Sequence, residues 1–182
     1  MGNAHIKINR AWSMPSRWTF TIPPIAELLA RYVGDGKGWI DPFAGMNSPA
    51  EFTNDLNPDS PAKSHLDALD FINLLDGTYK GGIYDPPYSL RQIMECYEGI
   101  GKDVDKKWAT TKFYSDTKTA ISKKICPGGL AISFGWNSIG LGKKRGFEII
   151  EVLLVCHGRL HNDTIVTVER KTQAGLPLLN ED

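Results

Sequence analysis

Long apolar runs are missing from this 182-residue chain. None approaches the ~20 residues that a bilayer-spanning helix needs, and the first residues carry no apolar signal core. The expectation is a cytoplasmic protein with no membrane partner. Cysteine is scarce as well. Cys96, Cys126 and Cys156 are odd in number and lack ligand spacing, which argues against a disulfide framework and reads as reduced thiols. Net charge is absent, with 21 Lys and Arg against 21 Asp and Glu. A strong non-specific polyanion binder is therefore excluded, and any nucleic-acid surface must be local. No repeat and no long linker divides the chain. With 41% hydrophobic and 10% aromatic residues it reads as one folded domain over 1–182.

What is present centres on Gly81-Gly82-Ile83-Tyr84-Asp85-Pro86-Pro87-Tyr88-Ser89. Proline lacks an N–H and fixes φ, so Pro86-Pro87 ends the strand at Asp85. In an open α/β sheet the carboxyl ends of strands are where ligands bind. An exocyclic amine on a base is a poor nucleophile because its lone pair is delocalised into the ring. The Asp85 carboxylate and the Pro86 carbonyl offer two acceptors that turn that lone pair toward an electrophile, while Tyr88 offers a face for stacking.

Upstream, Ile25, Leu28, Leu29, Tyr32 and Val33 form a helical stripe, predicting a helix over 23–33 with Pro23 in its first turn and Gly34 after its end. A short strand ending at Asp41 enters Pro42-Phe43-Ala44-Gly45-Met46-Asn47. Ser48 and Pro49 then predict a helix over 50–52, so strand, glycine loop and helix read as the opening of a nucleotide-binding unit or as an ordinary βα turn. Asp55 follows a faint strand, either as an acceptor for ribose hydroxyls or as an Asx turn before Pro58. Asp67 and Ala68 precede a helix marked by Phe71, Ile72 and Leu75 and closed by Gly77.

Residues 89–115 give one or two helical turns after Tyr88 and then a charged, exposed insertion carrying Trp108. Helical spacing returns over 113–125 and stops at Cys126-Pro127-Gly128-Gly129, followed by a strand over 130–134. Lys143, Lys144 and Arg145 lie in a glycine-flanked turn that suits phosphate contact or simple solvation. Residues 147–155 and 164–170 predict a terminal antiparallel hairpin. Its loop holds His157, His161, Asn162 and Asp163. Two histidines and an acid in one loop are weak evidence for a metal site without a second ligand cluster.

Asp85-Pro86-Pro87-Tyr88 resembles the catalytic motif of S-adenosylmethionine-dependent amino-methyltransferases, and Asp41-Pro42-Phe43-Ala44-Gly45 resembles their cofactor loop. The usual second glycine of that loop is Asn47 here. The order of motifs over 18–171 is similar to phage and prophage adenine-specific DNA methylases. The resemblance implies a Rossmann-like class I methyltransferase fold: seven mostly parallel strands, helices on both faces and a reversed terminal strand. It implies S-adenosylmethionine near Phe20, Pro23, Asp41, Pro42, Phe43, Ala44, Gly45, Asp55, Asp67 and Ala68. It also implies base or phosphate contact by His161 and Asn162. Direct methyl transfer to adenine N6 at Asp85, Pro86, Pro87 and Tyr88 is the implied activity, with DNA as substrate in a bacterial or phage-infected cell. An RNA or protein-amide methyltransferase shares these motifs, and a cofactor-binding relative without activity is the rival of another class. Residues 89–115 are too few for a separate recognition domain, so a homodimer or a specificity-giving partner is implied.

Overall fold

The computed structural model describes residues 5–158 and 161–172. In chain order these form β1 (Lys7–Trp12), α1 (Pro23–Val33), β2 (Trp39–Asp41), β3 (Phe52–Thr53) and α2 (Ala68–Leu74). There follow β4 (Tyr79–Tyr84), α3 (Leu90–Glu98), α4 (Lys106–Thr111), α5 (Phe113–Lys124), β5 (Ile125–Gly135), β6 (Phe147–Cys156) and β7 (Thr164–Lys171). The strands build one seven-stranded sheet in the order β1-β6-β7-β5-β4-β2-β3. Only β7 runs against its neighbours, pairing antiparallel with both β5 and β6. The carboxyl ends of the other six strands therefore share one edge.

Two apolar layers sandwich the sheet. Ile25, Leu28, Leu29 and Val33 of α1 pack on Ile83, Ile132, Leu153 and Val166. On the opposite face Phe71 and Ile72 of α2 and Ile121 of α5 pack on Ile40, Tyr84 and Ala131. The two glycines that open the motif strand are explained by these layers. A Cβ on Gly81 would lie 2.6 Å from the Trp39 ring, and one on Gly82 would lie 3.0 Å from Ile121. The Trp39 ring of β2 and helix α5 thus leave no room for side chains at these two positions of the strand that leads to Asp85.

Several expectations need correction. No helix forms after Ser48, whose hydroxyl donates to the Asp41 carboxylate at 2.6 Å and accepts from the Ala50 N–H at 3.3 Å. The chain runs directly into β3, leaving a crossover of only residues 42–51. Helix α5 does end at Lys124, but strand β5 starts at once at Ile125, so Cys126–Gly129 is not a turn before the strand and is absorbed in it as a register irregularity beside Tyr79 and Gly81. Residues 106–111 are helical, and Trp108 is packed edge-on against Phe113 with ring centroids 5.5 Å apart, so it is not a free stacking ring. Strand β1, which no periodicity announces, pairs parallel with β6 at the sheet edge.

Candidate functional site

The site lies where β2, β3 and β4 end. Asp85 is the first residue beyond β4, and Tyr88 folds back so that its hydroxyl donates to Asp85 Oδ1 at 2.5 Å. The Tyr88 N–H donates to Gln92 Oε1 at 2.7 Å, and the Tyr114 hydroxyl donates to the Pro87 carbonyl at 2.6 Å. The motif is therefore held from α3 and α5 as well as by its prolines. Burial pushes the Asp85 carboxyl up to about 6, against the opposing hydrogen bonds from Tyr88 and Thr19. Burial first, and then the Asp85 charge, push the Tyr88 phenol up, so it stays a proton donor. The Tyr88 ring, expected to stack on a flat ligand, meets Trp136 in a T-shaped contact at 5.7 Å.

The glycine loop is tied to two acids. Asp41 is fully buried and accepts from the Phe43 N–H at 2.9 Å and the Ser48 hydroxyl at 2.6 Å. Burial raises its pKa to about 7, and these two bonds only partly offset it. Asp55 accepts from the Gly45 N–H at 2.8 Å with Oδ2 and from the Asn57 N–H at 2.9 Å with Oδ1. The Asx turn and the loop contact are thus both present. Gly45 has φ +53, and a Cβ there would meet nothing within 4 Å, so the loop turns an open side to the site. Asn47 needs no left-handed backbone, since no described non-glycine residue has positive φ.

Two cavities meet at this point. The larger, about 500 Å³, is lined by Pro42, Phe43, Asp55, Ala68 and the whole Asp85–Tyr88 motif. The smaller, about 150 Å³, is lined by Phe20, Ala44, Gly45 and Asn47, with Arg17 and Trp18 at its side. Thr19, Phe43 and Asp85 belong to both. Arg17 stacks over the Trp18 ring at 4.5 Å and brings a cation to the smaller cavity. Together the cavities offer a cation, a carboxylate and open glycine backbone in the volume range of small-ligand pockets.

Of the expected residues, Phe20, Pro42, Phe43, Ala44, Gly45, Asp55, Ala68, Asp85, Pro86, Pro87 and Tyr88 come together at these cavities. Three do not line them. Pro23 is exposed and opens α1. Asp41 stands behind the loop and shapes it. Asp67 caps α2 by accepting from Leu69 N–H at 2.9 Å, and its other oxygen accepts from the Tyr97 hydroxyl.

The basic turn is a further correction. Residues Lys143–Arg145 lead directly into the amino end of β6, the edge opposite Asp85. The Arg145 guanidinium donates to Thr119 Oγ1 and to the Leu141 and Ser115 carbonyls, so it holds the loop against α5. Lys143 and Lys144 are exposed. His161 and Asn162, in the β6–β7 loop, are on the edge that carries the site.

Sequence reasoning missed Thr19, Arg17, Gln92, Tyr97 and Trp136. Thr19 and Arg17 sit just before a periodic helix, where no pattern marks them. Tyr97 and Trp136 reach the site only through tertiary packing.

No family model matches the sequence, and no curated protein matches it. Solved structures do match in fold. TrmN from Thermus thermophilus is 18% identical with a TM-score of 0.55, over 82% of this chain and 49% of its own length. The 1,6-didemethyltoxoflavin-N1-methyltransferase of Burkholderia thailandensis, solved with S-adenosylhomocysteine, is 14% identical with a TM-score of 0.54, over 82% and 77%. N-methyltransferase NodS from Bradyrhizobium japonicum is 10% identical with a TM-score of 0.50, over 81% and 94%. The chain thus spans about half the length of the first and most of the other two. At these identities the likeness is one of architecture, and the chain has the Rossmann-like fold of class I methyltransferases.

Proposed function

We propose that the chain is an S-adenosylmethionine-dependent methyltransferase acting on the exocyclic N6 amine of adenine in DNA. The observation that carries this reading is the place of Asp85, the one carboxylate that lines both cavities. A donor lying across both cavities and an amine brought to the Asp85–Tyr88 motif meet at its oxygens. The fold neighbours support the donor class, since one of them was solved with S-adenosylhomocysteine.

When bound, S-adenosylmethionine supplies a methyl group made electrophilic by a sulfonium. Arg17 and the open backbone at Gly45 would hold its amino-acid end, and Asp55, Ala68 and Phe43 its nucleoside end. These residues fit such a molecule because cation, acceptor carboxylate and apolar walls all border connected space. Asp85 and the Pro86 carbonyl accept the two N–H bonds of the amine, so its lone pair is turned toward the methyl carbon. Near-attack placement supplies much of the rate. The Tyr88 hydroxyl fixes Asp85 Oδ1, and the lone pairs that Tyr88 and Thr19 leave open on the carboxylate accept from the amine. After transfer the nitrogen must shed a proton, and a carboxyl titrating at about 6 is poised to take it and release it near neutrality.

The test is transfer of labelled methyl from S-adenosylmethionine to duplex DNA, single-stranded DNA and RNA, followed by nucleoside analysis. Label in N6-methyladenine from DNA is the expected result. Label in no polymer, with cofactor binding established by calorimetry, would instead assign a cofactor-binding role.

A further inference from the structure

A third cavity, of about 600 Å³, opens on the same sheet edge, between β1 and the β6–β7 loop. Trp12 and Trp136 line it with Arg10, His161 and Asn162. Both indoles are unusually open for their size, Trp12 at 67% and Trp136 at 48%. Trp12 is nonetheless placed, because its ring packs on Gly158, where an added Cβ would come within 2.9 Å. Arg10 lies two residues before Trp12 on the same strand face, and its guanidinium donates to Cys156 Sγ at 3.2 Å. The acid of the groove, Asp163, is engaged by the His157 N–H at 3.0 Å. On this face of the sheet the α2–α5 cluster takes in no residue of β1.

The groove adjoins the proposed catalytic pocket. Trp136 touches Tyr88 edge to face, so one pair of rings separates this groove from the space in front of Asp85. Two open indoles beside a guanidinium form a stacking and phosphate-pairing surface, and every base has a face to offer such rings. Paired bases in a duplex hide those faces, whereas an unpaired strand exposes them.

We infer that the Trp12–Trp136 groove binds an unpaired nucleotide adjacent to the target base, so the substrate is a single-stranded or locally melted polynucleotide. The inference rests on the reading that Asp85 receives a nucleobase amine. Trp12 stacks the neighbouring base, Arg10 meets its phosphate, and Trp136 is the wall shared with the target.

The experiment is fluorescence anisotropy with a labelled adenine-containing 12-mer as single-stranded DNA, as RNA and as a blunt duplex, with wild type, Trp12→Ala and Trp12→Phe. The single strands should bind more tightly than the duplex. Trp12→Ala should weaken them roughly 5- to 100-fold, the range expected for one stacked base, and Trp12→Phe should restore part of the loss. Calorimetry with S-adenosylhomocysteine should be unchanged, which establishes that the variants are folded. Single-strand affinity that ignores Trp12, preference for the duplex, or no binding by any oligonucleotide would overturn the inference. So would a Trp12→Ala effect on sedimentation alone, which would give this face to a second copy of the chain. Binding is read without turnover, so the two readings fail separately. Methyl transfer with a silent Trp12 removes only the groove, and Trp12-dependent binding without transfer removes only the role of Asp85.

Discussion

Glu151 and Asp41 are both carboxylates with almost no exposed surface, 1% and 0%, and their surroundings treat them oppositely. Glu151, on β6, receives Asn9 Nδ2 at 2.8 Å, Arg31 Nη2 at 2.7 Å and the Tyr32 hydroxyl at 2.6 Å. Burial pushes its pKa up, but the bonds from Tyr32 and Arg31 outweigh that and hold it below the usual glutamate range. Asp41, behind the glycine loop, has no cation beside it and faces Asp85 and Asp55, so burial wins and its pKa rises to about 7. The first acid fastens α1 and β1 to the sheet. The second is retained at a cost to stability because it shapes the loop that borders the site. Strands β5, β6 and β7 have 11, 10 and 8 residues, whereas β2 and β3 have 3 and 2 and end near Asp41, Asp55 and Asp85.

Substitutions break or sharpen that contrast. The largest effect is expected from Glu151→Ala, which strands Arg31 and Tyr32 and should cost about 3 kcal/mol in denaturant unfolding. Because Glu151 titrates below its unfolded value, its contribution is present above about pH 4.5 and is lost as pH falls through the lower folded pKa. Asp41→Asn should act in the other direction. The folded wild type holds its proton to about pH 7 while the unfolded chain loses it near 3.8, so wild-type stability falls as pH rises between those values. Relative to wild type the Asn variant should gain roughly 2 kcal/mol on going from pH 5 to pH 8, measured by thermal melts at both. Gly81→Ala forces a methyl into the Trp39 ring and should cost about 1–3 kcal/mol by the same melts, with little pH dependence. Smallest is Thr167→Val. Ser133 Oγ and Thr167 Oγ1 are buried without hydrogen-bond partners on paired β5 and β7, so this change should stabilise by about 1 kcal/mol.

Much of this was legible in the chain. The helix over 23–33 was readable from its apolar stripe and Pro23, and the end of β4 from the missing N–H groups of Pro86 and Pro87. The hairpin was readable from alternation between two turn signals. The loop acids, Asp41 and Asp55, were legible as a group but not in their separate roles. Only tertiary geometry shows that Ser48 bonds to Asp41 instead of capping a helix, or that Asp67 is used by Leu69 and Tyr97. The Lys143–Arg145 turn misled for a topological reason: charge composition cannot say which edge of the sheet a loop reaches. Strand β1 was hidden because this edge strand, hydrogen-bonded to β6 along one side and open along the other, carries isoleucine, arginine and tryptophan at the same spacing.

The most direct test of the account is the single-turnover methyl-transfer rate of Asp85→Asn on single-stranded adenine-containing DNA, with S-adenosylmethionine saturating. Asn keeps the size of the side chain but presents one acceptor oxygen and no charge. The account predicts a loss of at least roughly a hundredfold with cofactor affinity unchanged, and a wild-type rate that climbs with pH through about 6 as Asp85 ionises. A variant that transfers methyl at the wild-type rate, with the same pH profile, would contradict it.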